Sequence, residues 1–148
     1  MRYVATLAKD GRATLIEFPD CPGCQTFASR RASVAGVARD ALQGWLELHL
    51  EDGDAPPEPR FTAKRRVRVL SVTVDPSLAV RIEIRWARQR AGLSQGALAD
   101  RIGVTRQQVS LLESRGANMQ VATLQQIAEA LDLELDIAFR AKPAQPAA

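Results

Sequence analysis

Short β-prone apolar runs at residues 2–8 and 13–18 read as two strands. The Asp10-Gly11 pair between them predicts a hairpin turn, because both residue types tolerate positive φ. Residues 19–23 (PDCPG) break the second run, and residues 24–27 read as a short third strand. A helix then begins at Ser29 or Ser33 and continues to about Leu50. Val34, Ala38, Ala41, Trp45 and Leu48 fall on one of its faces, which is expected to cover the sheet. An acidic, proline-rich turn follows at residues 51–59, and the β-branched run 67–74 predicts a fourth strand. Asp75-Pro76 is a helix-start signal, with Asp75 as cap and Pro76 at the first helical position. Val80, Ile82, Ile84 and Trp86 alternate like a strand, yet Val80, Ile84, Ala87 and Ala91 fit a helix. The cap, the length and what lies downstream favour the helix.

Residues 93–113 (LSQGALADRIGVTRQQVSLLE) carry the densest information. Ser94 is placed to cap a short helix whose apolar stripe is Leu98 and Ile102. Gly103 ends it, since glycine enters the left-handed conformation at little cost. Thr105 caps a second helix with Val109 and Leu112 facing inward. Two short helices joined by a tight turn make a helix-turn-helix, whose second helix can lie in the DNA major groove. Arg106, Gln107 and Gln108 occupy its first turn, where side chains reach base edges. Arginine suits the acceptors of guanine and glutamine the donor–acceptor pair of adenine. Gln108 has a second reading, as the reciprocal partner of Thr105 in a capping box.

Charge changes the picture. Residues 1–59 hold six Lys and Arg against nine Asp and Glu, a net −3. Residues 60–115 hold twelve against four, a net +8, and residues 116–148 hold two against four, a net −2. The basic block coincides with the helix-turn-helix, as phosphate neutralisation requires. The acidic first part points to a partner other than DNA. No apolar run approaches the ~20 residues of a membrane span. The N-terminus lacks the apolar core of a signal peptide, and two cysteines make no disulfide framework. A cytoplasmic protein is expected.

Residues 78–132 resemble the phage-repressor type of helix-turn-helix through Arg88, Gly92-Leu93-Ser94-Gln95, Leu98-Ala99, Ile102-Gly103, Val109 and Glu113. The resemblance implies that Gln95 touches a phosphate, that Arg106 and Gln107 read bases, and that Arg88 and Glu113 form a structural pair. Ser94, Thr105, Gln108, Ser110 and Arg115 complete the expected DNA-binding set. Leu111 stands where some relatives place a polar base reader; it can instead touch a thymine methyl.

The N-terminal order β-β-β-α-β, with residues 18–24 (FPDCPGC) after the second strand and residues 41–47 (ALQGWLE) near the helix end, resembles HicB antitoxins over residues 2–75. Cys21 replaces the family's usual leucine, and Gly44 weakens the helix by ~1 kcal/mol relative to alanine. The resemblance implies an α+β unit with a partial RNase H-like fold, binding to a small HicA-type mRNA-cleaving toxin, and repression of a shared operon. The expected organisation is a toxin-binding domain at 1–75, a helix-turn-helix domain at 76–140 and a disordered tail at 141–148.

Cys21-Pro22-Gly23-Cys24 invites a redox or metal reading, but it precedes a strand rather than opening a helix. Zinc needs about four ligands, and His49 is the only histidine, so a structural turn is favoured over a redox or shared-metal role. A nuclease needs clustered carboxylates holding magnesium. Asp10, Glu17, Asp20 and Asp40 are scattered and read as solvated charges. No enzyme activity, metal or cofactor is expected. Arg81 and Arg85 can touch phosphates, but a solvated face is the favoured reading. Leu133, Leu135, Ile137 and Phe139 alternate with polar residues and predict a strand in need of a partner. A second copy is the favoured partner, giving a dimer on a palindromic operator; docking on its own chain is the alternative. Beside the antitoxin and autorepressor stands another reading, a stand-alone transcriptional regulator whose N-terminal domain senses a ligand.

Overall fold

The computed structural model describes residues 1–115 and 119–139; the expected tail at 141–148 lies outside them. Strands β1 (Arg2–Asp10), β2 (Ala13–Glu17) and β3 (Gln25–Ser29) precede helix α1 (Val34–Glu51) and strand β4 (Val69–Thr73). Helices α2 (Pro76–Arg90), α3 (Gln95–Ile102), α4 (Arg106–Arg115) and α5 (Val121–Ala130) follow. The strands form one sheet in the order β3-β2-β1-β4, antiparallel throughout. The predicted hairpin forms, but its two turn residues are Gly11, at φ 56°, and Arg12; Asp10 ends β1 opposite Ala13 and does not take positive φ.

One sheet face is buried. Tyr3, Ala5, Ile16, Ala28 and Val72 alternate inward and meet α1. The helix face that meets them differs from expectation. Ala38, Leu42, Leu46 and Leu50 are buried, Trp45 is half-buried and Leu48 is 55% exposed. Spacing by four sets three leucines in one continuous line, which removes more apolar area than the alternative through Ala41 and Leu48. Ser33 starts α1, its hydroxyl accepting from the Gly36 amide at 3.2 Å. Residues 18–24 close a tight turn in which the Phe18 amide donates to the Cys24 carbonyl at 3.1 Å. Asp20 is not a solvated charge: its carboxylate accepts from the Arg60 and Phe61 amides and pins the loop before β4.

Helix α2 serves two cores. Asp75 caps it by accepting from the Ser77 amide at 2.9 Å, with Pro76 in the first turn. Leu78, Ile82 and Trp86 join the core between sheet and α1. Ile84 joins Leu98, Ala99, Val109, Ile127 and Leu131 in the core of the helical part. The Trp86 indole donates to the Pro56 carbonyl, and the Tyr3 hydroxyl to that of Pro57, each at 2.7 Å. The chain between α1 and β4 is thereby fastened along the sheet and α2. Residues 133–139 form no strand within this chain, for a strand needs a hydrogen-bonded neighbour. Leu133, Leu135, Ile137 and Phe139 are exposed there.

Gly44 sits inside α1 with no atom within 4 Å of where a Cβ would stand. Gly44→Ala is therefore expected to stabilise the protein by ~0.5–1 kcal/mol through helix propensity alone. Urea unfolding monitored by circular dichroism checks this; a lowered midpoint would contradict it.

Candidate nucleic-acid interface

The helix-turn-helix forms for the local reasons its sequence suggests. The Ser94 hydroxyl accepts from the Ala97 amide at 3.0 Å. Gly103 ends α3 at φ 70° and ψ 33°. At the start of α4 the capping box closes in both directions: the Thr105 amide donates to Gln108 Oε1 at 2.8 Å, and the Gln108 amide donates to Thr105 Oγ1 at 3.2 Å. Gln108, expected among the base readers, therefore holds the helix start. Arg106 and Gln107 project exposed from the same turn. Gln107, Leu111 and Arg115 follow at i, i+4 and i+8 on one exposed face, while Ser110 is half-buried.

A buried ion network fixes how α4 is presented. Glu113 is fully buried, and its carboxylate accepts from Arg88 Nε and from Arg88 Nη2 at 2.9 Å, a two-pronged pair. Arg85 Nε adds a third donor at 3.2 Å and Gln95 Nε2 a fourth at 3.0 Å. Arg88 Nη1 reaches the Leu93 carbonyl, and Arg85 Nη1 reaches the carbonyls of Leu50 and Asp54. One carboxylate on α4 thus ties together α2, α3 and the end of α1. Arg81, also buried, donates to the Ser114 carbonyl at 2.8 Å. The reading of Arg81 and Arg85 as a solvated face is corrected here. Periodicity placed them on one side of a helix; it could not show that α4 and the end of α1 close over that side. A run of arginines at 81, 85 and 88 next to buried apolar positions was the available signal.

Burial alone would raise the Glu113 carboxyl, but hydrogen bonds from Arg88 and Gln95 and the charges of Arg88 and Arg85 outweigh it and hold it below the ordinary range. Gln95 accordingly spends its side chain on Glu113, and it is half-buried. Ser94, Gln95, Arg88 and Arg106 line one open cleft at the start of α3, bordered by Gly53 from the loop after α1.

The basic block also resolves differently from its sequence position. Arg60, Lys64, Arg65, Arg66 and Arg68 lie before β4, outside the helix-turn-helix, and Arg81, Arg85 and Arg88 are buried. The acidic residues Glu47, Glu51, Asp52 and Asp54 gather at the C-terminal end of α1 and the loop after it. Cys21 and Cys24 are buried free thiols, and burial pushes them up to about 12 and about 11 respectively. Neither has the electropositive, exposed setting of a reactive thiolate. The His49 ring stacks on Trp45 with centroids 3.7 Å apart. Among the described residues no group of His, Cys, Asp and Glu could hold a metal ion, and no helix is long and apolar enough to cross a membrane.

Residues 84–137 match the helix-turn-helix family. The chain is also 28% identical over 141 residues to Antitoxin HicB 1 of Photorhabdus laumondii subsp. laumondii, covering 94% of this chain and 87% of that protein. The chain is thus similar to an antitoxin HicB along most of its length, and its C-terminal part matches a helix-turn-helix domain. A solved chain of a HicA3 and HicB3 toxin-antitoxin complex matches 51% of this chain and 100% of its own length, at 22% identity and a TM-score of 0.44. That likeness is too slight to bear on the fold.

Glu113 gives the protein an acid-sensitive joint. Its folded-state ionisation lies below the unfolded value, so the stabilisation is present above about pH 4.3, the usual glutamate value, and is lost as pH falls through the folded one. Glu113→Gln removes the charge yet keeps the shape, leaving two buried arginines short of an anion. We expect a loss of about 3–5 kcal/mol at pH 7 and a smaller loss near pH 3. Urea titrations at both pH values check this; an equal loss at both would contradict it.

Proposed function

We propose that this protein is an antitoxin and autorepressor: the N-terminal unit binds and blocks a small HicA-type mRNA-cleaving toxin, and the helix-turn-helix binds the operator of the shared operon. The observation that carries the reading is the similarity to an antitoxin HicB along nearly the whole chain, sheet and helices together. The β-β-β-α-β order of residues 2–73 agrees with the partial RNase H-like unit that the family resemblance implies. Glu47, Glu51, Asp52 and Asp54 offer an acidic face to a basic, RNA-binding toxin. This places the complementary charge at one end of α1 instead of across residues 1–59 as a whole. Inhibition on this reading is steric and assigns the protein no catalytic step, cofactor or metal; its place of action is the cytoplasm.

On the DNA side, Arg106 and Gln107 read base edges, Leu111 meets a thymine methyl, and Ser94 and Arg115 position the backbone, while the Gln95 side chain, expected on a phosphate, is held by Glu113. Thr105 and Gln108 hold the recognition helix at the angle that presents them. The exposed Leu133, Leu135, Ile137 and Phe139 support pairing with a second copy, which would set two recognition helices on a palindromic site. The domain limits 1–75 and 76–140 belong to the same proposal, with α2 packed into both parts.

Co-expression with the small open reading frame beside the gene tests the first half. Rescue of growth and co-purification are expected, and a toxic neighbour that neither binds nor is relieved would contradict it. For the second half, Arg106→Ala and Gln107→Ala are each expected to lose ~1–3 kcal/mol of discrimination between operator and random duplex. Fluorescence anisotropy measures this; unchanged discrimination in both variants would remove α4 from the role of reader.

A further inference from the structure

The sheet has a face that α1 does not cover. Residues alternate across it, so Val4, Thr6 and Ala8 of β1, Leu15 and Glu17 of β2, Phe27 of β3 and Val69 of β4 point away from the buried core, with the Glu17 carboxylate at the end of β2 remote from the hairpin. Phe27 is 55% exposed and Val69 43% exposed. In register, Phe27 faces Leu15, and Leu15 faces Ala8 near the end of β1, so the aromatic ring lies close to the hairpin end of the sheet.

That same end gathers positive charge from three separate loops. Arg12 sits in the β1–β2 turn, Arg30 and Arg31 directly follow β3, and Arg65, Arg66 and Arg68 directly precede β4, where the Leu7 amide donates to the Arg68 carbonyl. All six arginines are exposed, and among the described residues none enters an ion pair. Asp10 is the one carboxylate on these strand ends and loops. Of the unit's carboxylates, Glu47, Glu51, Asp52 and Asp54 gather at the opposite end of α1, a helix of 18 residues and so about 27 Å long, while Asp40 lies in its first half. The arginine cluster and the densest group of anions therefore mark opposite ends of α1.

We propose that the open sheet face and its arginine end form a binding site for single-stranded nucleic acid, separate from the helix-turn-helix. An exposed aromatic ring on an open face supplies a surface on which a base stacks, and flanking arginines neutralise the phosphates on either side of it. Arginine also suits this role because its planar fork engages phosphate oxygens in pairs. An acidic protein would satisfy the charge alone; it would leave Phe27 without a matching flat partner. The inference does not depend on the antitoxin reading, since it uses no residue of the operator interface.

The test is fluorescence anisotropy of the full chain with labelled twelve-nucleotide oligouridine and oligothymidine, with circular dichroism confirming that each variant is folded. Both oligomers are expected to bind. With about four phosphates neutralised, doubling the salt concentration weakens binding about sevenfold. A variant carrying Arg30→Gln, Arg31→Gln, Arg65→Gln and Arg68→Gln should lose at least tenfold in affinity and most of the salt dependence. Phe27→Ala should lose roughly 5- to 150-fold while keeping the salt slope. The Arg106→Ala, Gln107→Ala double variant should bind the oligomers as the parent does. Tighter binding of one oligomer identifies RNA or single-stranded DNA as the natural source. The proposal is overturned by no binding of either oligomer, by loss in the Arg106/Gln107 variant with retention in the arginine variant, or by no effect of Phe27→Ala. Displacement by polyglutamate as readily as by unlabelled oligomer would also overturn it, in favour of an acidic protein.

Discussion

The buried Glu113 carboxylate is the point on which the two parts of the structure depend. It lies on the recognition helix, takes hydrogen bonds from Arg88, Arg85 and Gln95, and is fully removed from water. A buried charge left unpaired is costly, so once Glu113 is inside, its partners have little freedom to leave. Arg85 carries that constraint further, because its other nitrogen holds the carbonyls of Leu50 and Asp54 at the end of α1. The angle at which α4 presents Arg106 and Gln107 is thereby coupled to the helix that covers the sheet. Helix α2, apolar on two sides, supplies the packing that the ion network orients.

Much of this was legible in the sequence because it rests on local chemistry. Asp75-Pro76, Ser94, Gly103 and the Thr105–Gln108 pair each cap or stop a helix through interactions within a few residues. The β1–β2 hairpin at Gly11 and the order of elements in the N-terminal unit follow from similarly short-range signals. What escaped depends on long-range closure. Arg81 and Arg85 look like surface cations until α4 and the end of α1 pack over them. Leu48 looks like a core residue until the line through Leu42, Leu46 and Leu50 meets the sheet. Asp20 looks solvated until residues 60 and 61 arrive to donate to it.

Charge was the most misleading quantity when read along the chain. A block that is basic by count divides in the fold into buried arginines that organise the core, exposed ones before β4, and exposed ones on the helical part itself. A segment that is acidic by count gathers four of its carboxylates, Glu47, Glu51, Asp52 and Asp54, at the end of α1. Charge of opposite sign at the two ends of α1 gives one small unit two surfaces of different electrostatic character. The helical part adds a third surface, in which the exposed first turn of α4 is anchored one turn later by the buried Glu113.

The central claim is that the Glu113 network joins the sheet and the helix-turn-helix into one cooperative body. Native-state hydrogen exchange at residue resolution tests it most directly. The account predicts that core amides in β1 and in α3 and α4 exchange with one shared opening free energy, and that Arg85→Met separates them into two. Amides of α3 and α4 opening several kcal/mol below those of β1 in the unaltered protein would contradict it.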